Sequence, residues 1–264
     1  YFIENAPPEL WRAVNSARNE RSIGLGAMGF HAYLQRQDIP FESMWATSTN
    51  HKMFKRIKSE ATRATKQLAT ERGECPDGIG PGVRNTHLLA VAPNASSSII
   101  CGNTSPSIEP YRANAFTQKT KSGSSLLKNE YLEHALQEIE MDTDEVWSSI
   151  MTSGGSVQHL EFLDDHTKEV FRTGVEIDQK WVIQHAADRQ QYICQSQSLN
   201  VFFPANVSKQ ELHAIHMRAW KKKVKTLYYL RSEAMKRAEN VSDEALRQYV
   251  LDSVDENECL ACEG

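Results

Sequence analysis

Three groups of residues in this sequence are equipped for chemistry. The first is Pro93-Asn94-Ala95-Ser96-Ser97-Ser98, which follows the apolar run His87–Ala92. A buried strand running into a proline turn, then Asn and serines, then apolar residues is how a helix begins, with Asn94 or Ser96 as the cap. The first N–H groups of a helix have no internal partner, and its dipole places positive potential there. Small side chains let a phosphate approach and hydroxyls add donors, so a phosphate or diphosphate suits this turn. The plainer reading is a capped helix with small residues for packing. The second group is Cys259 and Cys262, near the end of the sequence. Two thiols this close can form a disulfide or exchange electrons with another one. No second Cys/His pair lies nearby to complete a zinc site. Glu256, Glu258 and Glu263 disfavour the thiolate, which suits a carrier better than a reactive nucleophile. The plainer reading is two ordinary thiols in a loose end. The third is Tyr228-Tyr229. Neighbours in a strand point to opposite faces, so both are core residues only if both faces are covered. Redox-active phenols are the functional alternative.

Other residue types give less. The histidines at 31, 51, 87, 134, 159, 166, 185, 213 and 216 show no metal-ligand spacing. There is no nucleophile elbow and no Walker loop. The spacing Gly24-x-Gly26-x-x-Gly29 matches a dinucleotide fingerprint, but no strand precedes it and no strand–acid unit follows. These glycines instead fit a buried helix over Ser22–Arg36 in which another backbone packs closely.

The elements that must position these groups follow from periodicity and punctuation. Helices are expected at Glu9–Arg18, Ser43–Arg72, Ser125–Glu140, Thr143–Ser153, Asp178–Gln190 and Ser208–Lys222. In the longest, Met53, Phe54, Ile57, Ala61, Ala64 and Leu68 form the apolar face, and Gly73 ends it. Its lysines and arginines read as a solvated face, since no aromatic platform accompanies them and the chain is net acidic. Ser208-x-x-Glu211 is a capping box. Strands are expected at His87–Ala92, Tyr111–Thr120, Gln197–Phe203 and Val224–Leu230. Strands alternating with helices indicate an α/β sheet or barrel. Beyond about Ser232 apolar residues thin out, and a flexible tail over 241–264 is expected after a folded body over 1–240.

The chain has 264 residues, a net charge of −4, 40% hydrophobic and 24% charged residues. That is an ordinary globular composition and excludes collagen, long disorder and a coiled-coil rod. No stretch approaches about 18 uninterrupted apolar residues, so no membrane span is expected. Five cysteines is an odd count, and Cys75, Cys101 and Cys194 lie far apart, so this is no secreted disulfide scaffold and a cytoplasmic location is the expectation. Tyr1 is a poor natural start, which suggests a piece of something longer.

Taken in order, four motifs resemble the C-terminal portion of the large, catalytic (alpha) subunit of class I ribonucleotide reductase. Pro93–Ser98 is similar to that family's diphosphate-binding segment, and Asn103–Pro110, ending Ile108-Glu109-Pro110, to the loop after it. Val224-Lys225-Thr226-Leu227-Tyr228-Tyr229 resembles the strand whose paired tyrosines relay a radical. Cys259-Leu260-Ala261-Cys262 resembles the family's terminal redox dithiol, and Arg21–Gly26 also fits.

The resemblance implies an α/β fold: the C-terminal part of a ten-stranded α/β barrel with a flexible C-terminal tail. It implies reduction of the ribose 2′-hydroxyl of ribonucleoside diphosphates, for deoxyribonucleotide supply to DNA synthesis. A thiyl radical abstracts a ribose hydrogen and a cysteine pair supplies electrons. On this reading Pro93, Asn94, Ala95, Ser96, Ser97 and Ser98 bind the substrate diphosphate. Tyr228 and Tyr229 pass an electron and a proton, and Cys259 and Cys262 re-reduce the active site. No cofactor is bound directly. The radical comes from a metal-containing small subunit, and electrons come from thioredoxin or glutaredoxin. The other partners are the N-terminal part of the large subunit and the substrate, with no nucleic acid and no membrane. The family's finger-loop cysteine, in an Asn-Leu-Cys-x-Glu motif, has no match at Cys75, Cys101 or Cys194. The N-terminal allosteric nucleotide sites are absent as well, so the portion is expected to be inactive alone. A different class of function is a non-enzymatic module that binds a phosphate ligand or nucleic acid and has a redox-sensitive tail.

Overall fold

The computed structural model describes residues 1–78, 82–120 and 123–232. Four stretches of extended chain run parallel and side by side. Residues 23–25 pair with 87–91 through Ile23 N–H to His87 O, Leu25 N–H to Leu88 O and Ala90 N–H to Leu25 O. The second stretch pairs with 195–198 through Gln195 N–H to Leu89 O, Val91 N–H to Ser196 O and Ser198 N–H to Val91 O. The continuation of the third stretch, Val201–Phe203, pairs with the fourth, Leu230–Ser232, with Val201 opposite Leu230 and Phe203 opposite Ser232. Helices occupy every connection, as parallel strands require.

In chain order the helices and strands are α1 (Phe2–Asn5), a 3-10 turn (Pro8–Leu10), α2 (Trp11–Glu20), α3 (Phe30–Arg36), α4 (Met44–Arg72), α5 (Ala95–Ile100), β1 (Ala115–Thr120), β2 (Gly123–Lys128), α6 (Glu130–Glu138), α7 (Asp144–Thr152), α8 (Asp165–Val170), α9 (Gln179–Gln190), β3 (Val201–Phe203), α10 (Lys209–Lys221) and β4 (Leu230–Ser232). Caps are where the sequence puts them. Ser43 accepts from Ala46 N–H, Thr143 from Val146, Asp178 from Lys180 and Ser208 from Glu211.

Two apolar clusters hold the chain together. The larger collects Phe30, Leu34, Phe41, Phe54, Leu89, Val91, Ile108, Val182, Ile183, Val201 and Phe203, where α3, α4, α9 and α10 cover the parallel stretches. The smaller gathers Leu132, Leu136, Trp147, Ile150, Val157 and Phe171 beneath the β1–β2 hairpin. Buried amides join them: Asn129 donates to Gln35 and Asn114, and Asn114 donates to the carbonyls of Gly155 and Phe171.

Several expectations need correction. The stretch 22–29 is extended, and the helix begins only at Phe30. Its glycines answer to a close neighbour, as expected, but the neighbour is a strand. A Cβ on Gly26 would sit 2.7 Å from Ala90 O. Gly29 adopts φ +80 against Thr104. Residues 123–128 form a hairpin strand, and the helix waits for the Asn129 cap. On α4 the buried stripe drifts from Phe54 to Thr65 and Ala69, leaving Ala64 exposed. The last strand is shifted: Leu230–Ser232 pair, while Val224 and Leu227 pack against the core without strand pairing. The tail over 241–264 lies outside the described residues.

Candidate functional site

The serine segment begins where the second parallel stretch ends. Val91 is the last paired residue, and Pro93 and Asn94 turn the chain into α5. Asn94 sits in the left-handed region (φ 53, ψ 29) and makes no side-chain cap, contrary to the ordinary role of Asn before a helix. Ala95, Ser96 and Ser97 are exposed. Ser98 is buried, and its hydroxyl donates to Ala95 O at 2.8 Å. Ser96 and Ser97 are the exposed serines of the segment. The chain past α5 folds back as a buried loop. Thr104 N–H donates to Ser98 O. Ser105 O, Ser107 O and the Ser105 hydroxyl accept from Gly29, Phe30 and Ala32 N–H, which fills the open N-terminus of α3.

The tyrosine pair lies further along the same strand direction. Asn200 stands three residues past Gln197, the partner of Val91. Tyr228 and Tyr229 flank it. In a regular parallel ladder one residue both donates and accepts across the gap, as Val91 does. Here Tyr228 N–H donates to Leu199 O (2.8 Å), whereas Tyr229 O accepts from Val201 N–H (3.0 Å). Two residues therefore oppose the single Asn200, which is a bulge. The surplus Tyr229 N–H donates to Asn200 Oδ1 at 2.9 Å.

This bulge overturns the strand-alternation argument. The two rings do not point to opposite faces; their centroids are 4.1 Å apart and the planes are inclined by 51°. Tyr228 O–H donates to the Tyr229 oxygen at 3.3 Å. Tyr228 is 43% exposed, and the Arg231 guanidinium lies 5.1 Å from the centre of the Tyr229 ring.

Two residues that the sequence reading passed over complete the arrangement. Asn200 is buried and uses its backbone and side-chain N–H groups to reach the two oxygens of Glu109, each at 3.1 Å. Glu109 is 4% exposed. Desolvation pushes its carboxyl up to about 7, against the lowering pull of the Asn200 hydrogen bonds and the Arg231 charge. A signal existed for both: a carboxylate in Ser-Ile-Glu-Pro among buried neighbours, and an Asn inside the apolar run Leu199–Phe203.

Cys259 and Cys262 lie outside the described residues. Cys75, Cys101 and Cys194 are free thiols. Among the described residues no group of three or more His, Cys, Asp and Glu could hold a metal ion, and no helix is long and apolar enough to cross a membrane. Two surface grooves, of about 340 and 670 Å3, are lined by residues of α1, α2 and their surroundings, far in sequence from the serines and tyrosines and including none of them.

The parallel stretches, the helix-opening turn beyond one carboxyl end and the paired tyrosines can be set beside known proteins. A family model described as "Ribonucleotide reductase, barrel domain" matches residues 2–78 and 77–230. The chain belongs to that family. The parallel stretches are thus part of the α/β barrel of a ribonucleotide reductase large subunit. The ribonucleoside-diphosphate reductase large subunit of Invertebrate iridescent virus 6 is 52% identical over 245 residues, covering 91% of this chain and 26% of that protein. Its counterpart in Invertebrate iridescent virus 3 is 47% identical over 267 residues, covering 100% and 42%. The solved class Id ribonucleotide reductase alpha subunit of Actinobacillus ureae superposes with a TM-score of 0.82 at 41% identity, covering 89% of this chain and 44% of that one. The chain therefore spans less than half the length of each of these relatives.

Proposed function

We propose that this chain is the part of a ribonucleoside-diphosphate reductase large subunit that supplies substrate diphosphate binding, the tyrosine relay and the terminal redox dithiol. The observation that carries the proposal is the adjacent, tilted Tyr228–Tyr229 ring pair, with hydroxyls 3.3 Å apart, in a chain of the ribonucleotide reductase barrel family. Two adjacent side chains forced onto one side by a bulge can hand a proton from one phenol oxygen to the next while an electron moves between the neighbouring rings. Ordinary packing does not call for a bulge there. The exposed Ser96 and Ser97, with the backbone of Pro93, Asn94, Ala95 and Ser98, hold the diphosphate and so fix the ribose. In α/β folds ligands gather beyond the carboxyl ends of the strands, which is where α5 starts.

The radical is supplied by a metal-containing small subunit, and this chain binds no cofactor of its own. Each turnover replaces the ribose 2′-hydroxyl by hydrogen, releases water and oxidises a cysteine pair to a disulfide. Cys259 and Cys262 reduce that disulfide by thiol exchange, become a disulfide themselves, and take two electrons from thioredoxin or glutaredoxin. A body over residues 1–240 and a redox tail over 241–264 belong to the same proposal, as does dependence on the N-terminal part of the large subunit.

The test uses the complete large subunit with its radical-generating partner. Tyr228→Phe and Tyr229→Phe keep the ring pair and remove one O–H each. Turnover should be lost with the melting temperature nearly unchanged. Full turnover in either variant overturns the relay. Replacing Cys259 and Cys262 by Ser should block turnover with a thioredoxin-type reductant and spare it with a small dithiol. Equal loss with both reductants overturns the shuttle.

A further inference from the structure

We infer that Glu109 and Asn200 are positioning residues for the tyrosine relay: Glu109 fixes which way the Asn200 amide faces, and that orientation holds the bulge that brings the Tyr228 and Tyr229 rings together. The inference rests on the tyrosine reading proposed above.

The argument is one of donors and acceptors. A side-chain amide has an accepting oxygen and a donating nitrogen, and it can be inserted either way round. Asn200 sits between two neighbours that want opposite things. On one side is a carboxylate, an acceptor when ionised; on the other is a backbone N–H, a donor only. Both are satisfied in one orientation: Nδ2 toward Glu109 Oε2 at 3.1 Å and Oδ1 toward Tyr229 N–H at 2.9 Å. The backbone N–H of Asn200 reaches Glu109 Oε1 at 3.1 Å, so both carboxyl oxygens are committed. Glu109 is held against this strand even though burial disfavours its charged form. An ionisable group kept in so dry a place needs a reason, and a neutral Gln would avoid the desolvation. Gln, however, would bring a donor to where Asn200 already presents one.

The consequence reaches the rings. The Tyr229 N–H is surplus to the ladder, because Tyr228 already occupies the Leu199 carbonyl. Without Asn200 Oδ1 that buried-side donor would be left unpaired or the bulge would relax into the ladder. Relaxation restores strand alternation and swings one ring to the opposite face, parting the hydroxyls. Glu109 also lies on the loop that follows the serine helix, so the relay is registered against the segment proposed to hold the substrate.

The decisive experiment reverses the donor order. In the complete large subunit with its radical-generating partner, Glu109→Gln places Nε2 against Asn200 Nδ2. Turnover should fall by about tenfold or more, since small misplacements of reacting groups cost rate steeply. KM for the ribonucleoside diphosphate should stay within about twofold. Adding Asn200→Asp to Glu109→Gln restores the pattern with the same net charge. The Gln amide now donates to one Asp oxygen, and the other Asp oxygen accepts from Tyr229 N–H. The double variant should recover most of the lost kcat. A merely structural role would lower the melting temperature without this kcat-selective loss and rescue.

Tyr229→Phe is run alongside. If it is inactive while Glu109→Gln turns over at the parental rate, or while the double variant is no faster than Glu109→Gln, the positioning role is overturned and the relay stands. If Tyr229→Phe is fully active, the relay falls and this inference falls with it. Should Glu109→Gln fail to fold, the double variant decides: near-parental kcat supports the inference, and a folded but slow enzyme overturns it.

Discussion

Burial pushes Glu109 up to about 7, with Asn200 and Arg231 pulling the other way, and it pushes two core histidines down. His31, fully buried, is lowered to about 3 by desolvation, opposed by the Val170 carbonyl. His185 is lowered to about 4, again by desolvation first, with the Phe41 carbonyl opposing and the Arg189 and His51 charges adding. The signs differ. A raised carboxyl favours the fold below its unfolded value of 4.5, and that contribution is lost as pH rises toward 7. A lowered histidine favours the fold above its unfolded value of 6.5, and that contribution is lost as pH falls toward 4 and then 3. On acidification from 7, Glu109 therefore offsets part of what the histidines lose. At about 1.4 kcal/mol per pH unit, its offset is at most about 3 kcal/mol. Removing the titration with Glu109→Gln should steepen the fall of melting temperature between pH 7 and 4.5. Thermal melts across that range check it; parallel curves for parent and variant would show that Glu109 titrates normally.

The same neighbourhood shows how much an element can hide from its sequence. Four helices were legible from their openings, since Ser43, Thr143, Asp178 and Ser208 all cap helices in the structure, whereas the Asn129 cap of α6 was overlooked and α8, capped by Asp164, was not expected. The strands were less so, because a parallel stretch of two or three paired residues leaves no periodicity to read. The bulge was invisible. Tyr228-Tyr229 in a run of apolar residues reads as alternation, and only the partner strand decides that Asn200 faces two residues. Gly24 and Gly26 mark a close neighbour correctly but cannot say whether it is helix or strand. Their role as spacers is measurable. Ala90 N–H donates to Leu25 O, so the Ala90 carbonyl cannot retreat freely from a new methyl 2.7 Å away at Gly26. Gly26→Ala should cost about 1–3 kcal/mol by overpacking, more than the roughly 1 kcal/mol expected for removing the Ser43 cap. Urea unfolding of the two variants ranks them, and a Gly26→Ala variant as stable as the parent would mean that this strand pair is loosely set.

On the scale of the whole molecule, the four parallel stretches lie side by side with two edges among the described residues, residues 23–25 at one side and β4 at the other. Ile23 and Leu25 are 49% and 48% exposed at the first edge, and Tyr228 and Leu230 are each 43% exposed at the second. A closed barrel has no edges, and an open one presents unpaired N–H and C=O groups beside exposed apolar side chains. A net charge of −4 over 264 residues gives little repulsion to keep such edges apart. The chain on its own should therefore self-associate through these edges, and it should not turn over substrate even with the radical-generating partner present. Supplying the N-terminal part of the large subunit should convert it to a stoichiometric complex. Charged substitutions at Ile23 and Leu25 test the mechanism directly, since they load an edge with charge and leave the buried clusters intact. Sedimentation velocity over a range of concentrations should show oligomers for the parent chain and fewer for Ile23→Lys with Leu25→Lys. A monodisperse parental monomer would mean that the edges are already covered, and the substituted chain would then have nothing left to relieve.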